Sequence, residues 1–553
     1  MYINLKQEKE ILEKYLPLYL KYNKGINKLL KRKFLKQYKN LSSIIYQNNK
    51  QYIDLLKKEN PFLNNIDGYK LDEVQKNIVL AEEENTLVVA GAGSGKTLTL
   101  LARIIYLIKT GVKPNEILCL TLTNSCVNNL KSKLEKYNIT LDVLTFHKLG
   151  MRILRSNGYK LKVAKNDELS MIIDELVNYH KIVDIIPAVD FKTFGEYNDQ
   201  AEDDVIKGLQ DVIFKNSDYY NNLKYTILMF VNLFKNNTYL QFDDLFMMNN
   251  KEKNKYKRTR NYKYLLFLKD IYEKYTDYLQ KNNKIDFNDM ISKATTVLKK
   301  GSIRPYKYII IDEYQDISLS KCLLLKEIQL HTKAHILAIG DDWQSIYRFT
   351  GTNLSVFVDF ERYFPNTKIF KLNNTYRNSN ELIKVMNKFI MKNKKQIAKK
   401  LLSNKTLDKP IIVYYYDNNQ TEILNKILPN IKGSFLILGR NNNDINLVPK
   451  KYQKHFMTVH KSKGLECDVT IVINLTDDPL GFPNKIVNDD ILKFVSIDDD
   501  FPYEEERRLF YVALTRTKTY NILLVDRKKP SVFAREITED NNITEKDYSV
   551  KKR

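Results

Sequence analysis

The sequence predicts an α/β chain built on two parallel sheets, with a mostly helical insertion in the first and a helical extension ahead of it. Three observations predict this. Short apolar runs alternate with helix-like segments along most of the chain, the pattern of parallel strands covered by helices on both faces. One run leads directly into a glycine-rich loop and a helix, the context of a phosphate-binding turn. Gly and Pro number only 17 and 13 in 553 residues, so regular structure, mostly helix, is expected nearly throughout. A chain of this length makes several structural units, and 43% hydrophobic residues supply their cores.

Residues 1–66 are rich in Lys, Tyr and Leu at helical spacing and predict one or two basic amphipathic helices, broken near Pro17 and again at Gly25; packing on the body is favoured over binding DNA or a partner. ENTLVVAGAGSGKTLTLLARIIYLI then reads as buried strand, loop and helix. NEILCLTLTNSCVNNLKSKLEKY repeats the pattern, with a strand over Ile117 to Thr121, and LDVLTFHKLG is a third short strand and turn. Residues 150–285 form the helical insertion, with acidic stretches such as AEDD at 201–204. The first sheet unit therefore spans 67–149 and 286–365. Strand Tyr308 to Ile311 ends in acids, and AHILAIGDDWQSIYRF holds another strand. A second sheet unit over 366–536 includes KIFKL, KPIIVYYY, GSFLILGR, VTIVINL and YNILLVD, and 537–553 is a polar tail.

Ala90 leads into Gly91, Ala92, Gly93, Ser94, Gly95, Lys96 and Thr97. The glycines let backbone N–H groups turn toward phosphates, and the helix N-terminus adds positive potential. Lys96 is expected to reach the β- and γ-phosphates and the Thr97 hydroxyl to ligate Mg²⁺, which implies ATP and Mg²⁺. Ala90 stands where the general pattern has Gly. Asp312 and Glu313 follow a buried strand, and carboxylates at the C-terminal end of a parallel strand face the ligand crevice. Asp312 is expected to hold Mg²⁺ and Glu313 to orient and deprotonate the attacking water. The long interval between Lys96 and Asp312 requires an inserted domain.

The net charge of +24 favours a polyanionic partner, although a coding bias toward Lys, Asn, Ile and Tyr would supply the same charge. The cysteines, Cys119, Cys126, Cys322 and Cys467, form no CxxC pair and no Cys/His cluster, which argues against structural zinc and a disulfide framework. Charges interrupt every apolar stretch near the start, and the most apolar run, Tyr225 to Phe234, is too short to span a bilayer. A cytoplasmic protein without membrane attachment is expected.

From about 69 to 518 the chain resembles superfamily 1A DNA helicases of the UvrD/Rep type, most closely the helicase IV group. The resemblance rests on LDEVQ, AGAGSGKT, TLTNSCVNNL, TFHKL, DFNDMI, IIIDEYQDIS, GDDWQSIYRFTG, LNNTYRNSNEL, MTVHKSKGLECDVTIVINL and EEERRLFYVALTRTK, in the family's order. It implies that both sheets are RecA-like and that the chain is an ATP-dependent 3′→5′ single-stranded DNA translocase and helicase. It assigns Gln75 to the adenine edge, Tyr376 to stacking on the base and Glu466 to the ribose. Gln344 becomes the γ-phosphate sensor, and Arg377 and Arg516 reach the γ-phosphate from the second unit. Guanidinium groups suit the charge that spreads over the γ-phosphoryl oxygens.

The resemblance also places Thr123, Asn124, Phe146, His147, Phe349, Thr458 and His460 near single-stranded DNA, where small polar groups hold phosphates and aromatic faces stack bases. Phe349 stands where many relatives carry Trp. Arg348 contacts phosphate or pairs with an acid, and Trp343 supports Gln344 or stacks a base. Leu98 stands where several relatives carry Arg. The short interval between the Arg377 and Thr458 motifs implies that the family's second insertion, domain 2B, is absent or vestigial; the first, 1B, is present. Repair or recombination on single-stranded or tailed DNA is the expected setting, with a nuclease or other repair protein as a further partner. A phage-defence helicase working with a nuclease, and an ATP-driven switch acting on RNA polymerase complexes, remain as alternatives.

Overall fold

The structure, a computed structural model, describes residues 2–14, 28–165, 167–177, 217–417, 419–486, 489–496 and 501–547. The expected breaks at Pro17 and Gly25 and the acidic stretch 201–204 lie outside the described residues. Two six-stranded sheets organise the chain, and every strand pairing in them is parallel.

The first sheet contains β1 (Asn85–Ala90), β2 (Ile117–Thr121), β3 (Asp142–Thr145), β6 (Tyr308–Ile311), β7 (His335–Gly340) and β8 (Thr367–Leu372) in the order β3-β2-β6-β7-β1-β8, while β4 (Lys162–Val163) and β5 (Lys284–Ile285) pair separately. Its inner strands, β2, β6, β7 and β1, read as nearly continuous apolar runs because helices cover both faces. Alternate residues feed opposite cores: Leu87, Val89, Ile309 and Ile311 one, Val88, Ala90 and Ile310 the other. All strands run the same way, so the residues that follow β1, β2, β3, β6 and β7 emerge along one edge, where open α/β sheets bind ligands. That edge carries Gly91, Thr123, Phe146, Asp312 and Asp341.

The second sheet has the order β11-β10-β12-β13-β9-β14, with β9 (Ile411–Tyr416), β10 (Phe435–Gly439), β11 (Phe456–Thr458), β12 (Cys467–Leu475), β13 (Thr517–Asp526) and β14 (Ile543–Asp547). Two expectations are corrected here. KIFKL forms β8, which pairs with β1 and belongs to the first sheet; its pattern marks a strand but does not name the partner. Within the expected polar tail, residues 543–547 form β14 along β9. An edge strand needs little apolar surface, which is why its composition reads as a tail.

The extension packs through its two ends. Tyr2 donates to Glu83 at 2.6 Å, and Ile53, Leu63 and Ile66 join the first-sheet core. The insertion has its own core, in which Phe230, Tyr264, Leu268 and Ile271 of helices Ser217–Asn236 and Lys255–Lys281 meet. The ammonium of Lys235 holds it to the first unit through Asp286 at 2.7 Å and Asp289 at 2.6 Å.

A loop between β12 and β13 also reaches the insertion. Its short turn Asp490–Phe494 sends Ile491, Leu492 and Val495 into the insertion core. Arg260 grips Asp489 with two bonds of 3.1 and 2.5 Å. Each buried aliphatic side chain contributes roughly 1.5–3 kcal/mol, whereas an exposed pair such as Lys257–Asp490 contributes about 0–1 kcal/mol, so the apolar plug dominates the attachment. No described helix is long and apolar enough to cross a membrane.

Candidate functional site

The loop after β1 is shaped by its glycines. Gly93 has a φ of 71°, and a Cβ there would lie 2.6 Å from Arg377 Cβ and 2.8 Å from Thr375 Oγ1, so glycine lets the connection after β8 approach this closely. Leu401 packs against Gly91 where a Cβ would stand. Ala90 tolerates its Cβ because it points into the core. Helix Lys96–Lys109 starts from Gly95 with no side-chain cap, so its first N–H groups remain for a ligand. Ser94 Oγ is buried and meets no partner among the described residues. An uncapped helix start and an orphan hydroxyl beside Lys96 and Thr97 fit a bound phosphate chain.

Lys96, Thr97, Asp312 and Glu313 line a cavity of about 450 Å³ beside this loop. Arg377, Glu466 and Arg516, carried by the second unit, line the same cavity, with Gln75, Tyr376 and Gln344. The Lys96 ammonium lies 3.9 Å from Glu313. Burial raises the Glu313 carboxyl, but Lys96 and then Lys463 outweigh it and hold it down at about 2. Burial, reinforced by the Glu313 charge, pushes Asp312 up to about 7. Two adjacent acids in different environments thus separate, Glu313 staying ionised and accepting from Gln315 Nε2 at 2.5 Å. Glu313 also has a φ of 52°, an uncommon conformation for a non-glycine residue, with a strain of order 1–3 kcal/mol that directs its side chain into the cavity.

Arg516 is buried to 1% exposure, which draws its guanidinium down to about 10, still protonated at neutral pH. It donates to Gln344 Oε1 at 2.9 Å and to the carbonyl of Leu465 at 3.2 Å. Gln344 in turn donates to Asp341 at 2.6 Å. Lys399, which the sequence reading did not single out, neutralises Asp341 and Asp342 and donates to Ala90 O at 3.1 Å. Lys463 was also missed; it pairs with Asp316 and donates to Gln344 O at 2.6 Å. Its only signal was its place in VHKSKGLE. Trp343 is fully buried, edge-on to Tyr511 and 4.5 Å below the Lys399 ammonium, so it supports Gln344 and stacks no base.

Some predicted contacts are already engaged within the protein. Gln75 Oε1 accepts from Asp72 N at 2.9 Å and Nε2 donates to Ser94 O at 3.1 Å, which leaves one amide proton for a base. Tyr376 is 48% exposed, with its hydroxyl on Asp72 at 2.9 Å and its ring open to stacking. Arg377 pairs with Glu466 at 3.0 Å, and Glu466 also meets Lys518 at 2.9 Å.

A second cavity, of about 820 Å³, runs between the first unit and helix Ser217–Asn236. Thr123, Asn124, His147 and Phe349 line it, and the Thr123 hydroxyl also caps its helix by accepting from Cys126 N at 3.2 Å. Phe349 is 42% exposed and meets His460 edge-on at 5.8 Å. Phe146 is corrected: at 2% exposure it lies in the first-unit core, because the helix it starts turns it under the sheet. Thr458 is buried at the end of β11, where its carbonyl accepts from Ser462 N at 3.2 Å and holds the turn that carries His460. Arg348 takes the acid-paired alternative, with Glu505 at 3.4 Å. Missed groove residues include Tyr225 and Phe287, both exposed aromatics; Phe287 packs edge-on against His147 at 5.1 Å.

Burial lowers both His147 and His460 from 6.5 to about 4. The unfolded chain therefore takes up more protons as pH falls, and stability present above about pH 6.5 is lost between there and about pH 4. A His147→Gln/His460→Gln double variant is expected to lose less stability over that window than the parent in denaturant titrations. Identical pH profiles would contradict the neutral, desolvated state of these rings.

Residues 71–365 match the family model for the UvrD/REP helicase N-terminal domain, and residues 441–525 that for the UvrD-like helicase C-terminal domain. The chain is 27% identical over 527 residues to DNA helicase IV of Escherichia coli (strain K12), covering 90% of this chain and 74% of that one. It is 29% identical over 401 residues to ATP-dependent DNA helicase Rep of Buchnera aphidicola subsp. Schizaphis graminum (69% and 54% covered). To ATP-dependent DNA helicase PcrA of Bacillus subtilis (strain 168) it is 26% identical over 359 residues (63% and 42% covered). The chain thus spans about half the length of these last two relatives.

Proposed function

Since the chain belongs to the UvrD/REP helicase family, we propose that it is an ATP-dependent DNA helicase that translocates 3′→5′ on single-stranded DNA, in repair or recombination in the cytoplasm. One observation carries the reading: Lys96, Asp312 and Glu313 of the first unit share a cavity with Arg377 and Arg516 of the second, so the site is complete only when the two units meet. ATP bound there favours closure, and loss of the γ-phosphate releases it.

Each residue has a task that follows from its position. Lys96 and the uncapped helix start hold the β- and γ-phosphates. Glu313, kept ionised by Lys96 and Lys463, orients the attacking water and accepts its proton. Asp312 and Thr97 would hold Mg²⁺, which would supply charge neutralisation at the phosphate oxygens. Arg516 stabilises the charge on the transferring phosphoryl group, and Gln344, already bonded to it, reports the state of the γ-phosphate toward Phe349 and the groove. Tyr376 stacks on the adenine, and the remaining Gln75 amide proton meets its edge.

The groove holds the single strand by stacking and phosphate contacts, without reading sequence. Replacing Phe349 by alanine is expected to weaken single-strand binding by about 1–3 kcal/mol. Unchanged affinity in fluorescence anisotropy would assign Phe349 to packing. The function itself is tested by ATPase assays with and without single-stranded DNA, then by strand displacement on tailed duplexes of both polarities. A folded protein whose turnover ignores DNA contradicts the proposal, and activity on 5′-tailed substrates alone contradicts the direction.

A further inference from the structure

Lys321 sits in the first turn of helix Leu319–Thr332 and lines the 820 Å³ groove beside His147, Phe287 and Phe349. Among the described residues no carboxylate pairs with it, and no hydrogen-bond acceptor meets its ammonium. Its position is unfavourable to the fold in two ways. The first turn of a helix carries positive partial charge, which repels a cation. The surroundings also strip water from the ammonium and pull it down to about 8, with Asp316 opposing the shift. Asp316 pairs with Lys463 through Oδ2, and no ion pair joins it to Lys321 among the described residues.

The groove around Lys321 suits an anion. No Asp or Glu is among its described lining residues, although the chain has 66 of them. Lys148 adds a second cation, and Asn124, Asn232, Asn236 and Asn288 add neutral amides. The other ionisable groups facing the space are His147 and Tyr225, and Asp286 acts on His147 from behind.

We propose that Lys321 is a phosphate-binding residue of the single-strand track, a cation left without a partner in the fold so that a DNA backbone phosphate becomes its partner. This rests on the reading of the groove as a DNA site. A charge-assisted bond to phosphate restores what desolvation removed, and the ammonium regains its full charge on binding. The position thus sacrifices stability for affinity, and a structural lysine would show the opposite balance.

The experiment compares the full-length protein with Lys321→Met and Lys321→Arg, using fluorescein-labelled oligodeoxythymidylate at several salt concentrations and thermal melting at pH 7. The methionine variant is expected to melt at or above the parent temperature, because an unpaired, half-buried charge has gone. That advantage shrinks as pH rises from about 8, where the parent lysine begins to lose its own charge. The same variant is expected to bind about tenfold more weakly, with the slope of log affinity against log salt reduced by about 0.7, one single-strand phosphate contact. The arginine variant retains the slope. Unchanged affinity and slope in the methionine variant overturn the proposal, as does a lower melting temperature with binding preserved. Failure of the unaltered protein to bind the oligonucleotide is a different result, which overturns the assignment of the groove rather than of Lys321.

Discussion

Replacing Arg516 by alanine is expected to lower kcat for DNA-stimulated ATP hydrolysis by about 10³–10⁵-fold, the range for an arginine that meets a transferring phosphoryl group. The expectation follows from where this guanidinium is held. It is buried, protonated and fixed by bonds to Gln344, Leu465 and Val512, so it needs no reordering as charge develops on the γ-phosphate. The alanine variant also leaves Gln344 Oε1 without its donor, so melting and nucleotide binding must be read beside turnover. Arg516→Lys keeps the charge but cannot reach both Gln344 and the phosphate, and is expected to recover only a small part of the rate. A folded alanine variant that retains more than a tenth of the parental kcat would remove Arg516 from the chemistry.

Lys96→Ala is expected to reduce ATP turnover by about 10²–10³-fold while leaving single-strand binding within a few-fold of the parent. The two effects separate because Lys96 lines the nucleotide cavity and not the groove. A second effect distinguishes this variant from Arg516→Ala. Lys96 is the leading influence that lowers Glu313, so its removal raises that carboxyl, with Lys463 still opposing the rise. Residual activity in the alanine variant should therefore rise with pH more steeply than in the parent. Retained turnover at neutral pH would contradict the placement of the phosphates against Lys96.

Much of this was legible in the sequence where a local pattern carries the physics. β1, β2 and β6 are buried on both faces, so their apolar runs stand out, and the loop and acids at their ends follow by chain direction. Gln344, Arg377 and Arg516 were reachable only through resemblance, because nothing local distinguishes a guanidinium that crosses a cleft from one on a surface. β8 and β14 were misplaced because edge strands show half the apolar pattern and no trace of their partner. Phe146 was misassigned because a motif position does not say which way the first residue of a helix turns. Lys399 and Lys321 lie outside any recognisable spacing; what marks them is the company of distant residues, two aspartates for one and an acid-free groove for the other.

The loop that plants Ile491, Leu492 and Val495 in the insertion has a kinematic consequence. The first unit meets the second around the cavity lined by Lys96 and Arg516 and holds the insertion through Lys235, and this loop joins the second unit to the insertion. Three bodies with three joints form a closed linkage, which has fewer independent movements than an open series. A hinge opening at the nucleotide end must be matched by rotation of the insertion or by bending of the 477–486 stretch. On the proposed function, this linkage gears the groove wall formed by helix Ser217–Asn236 to the ATP cycle.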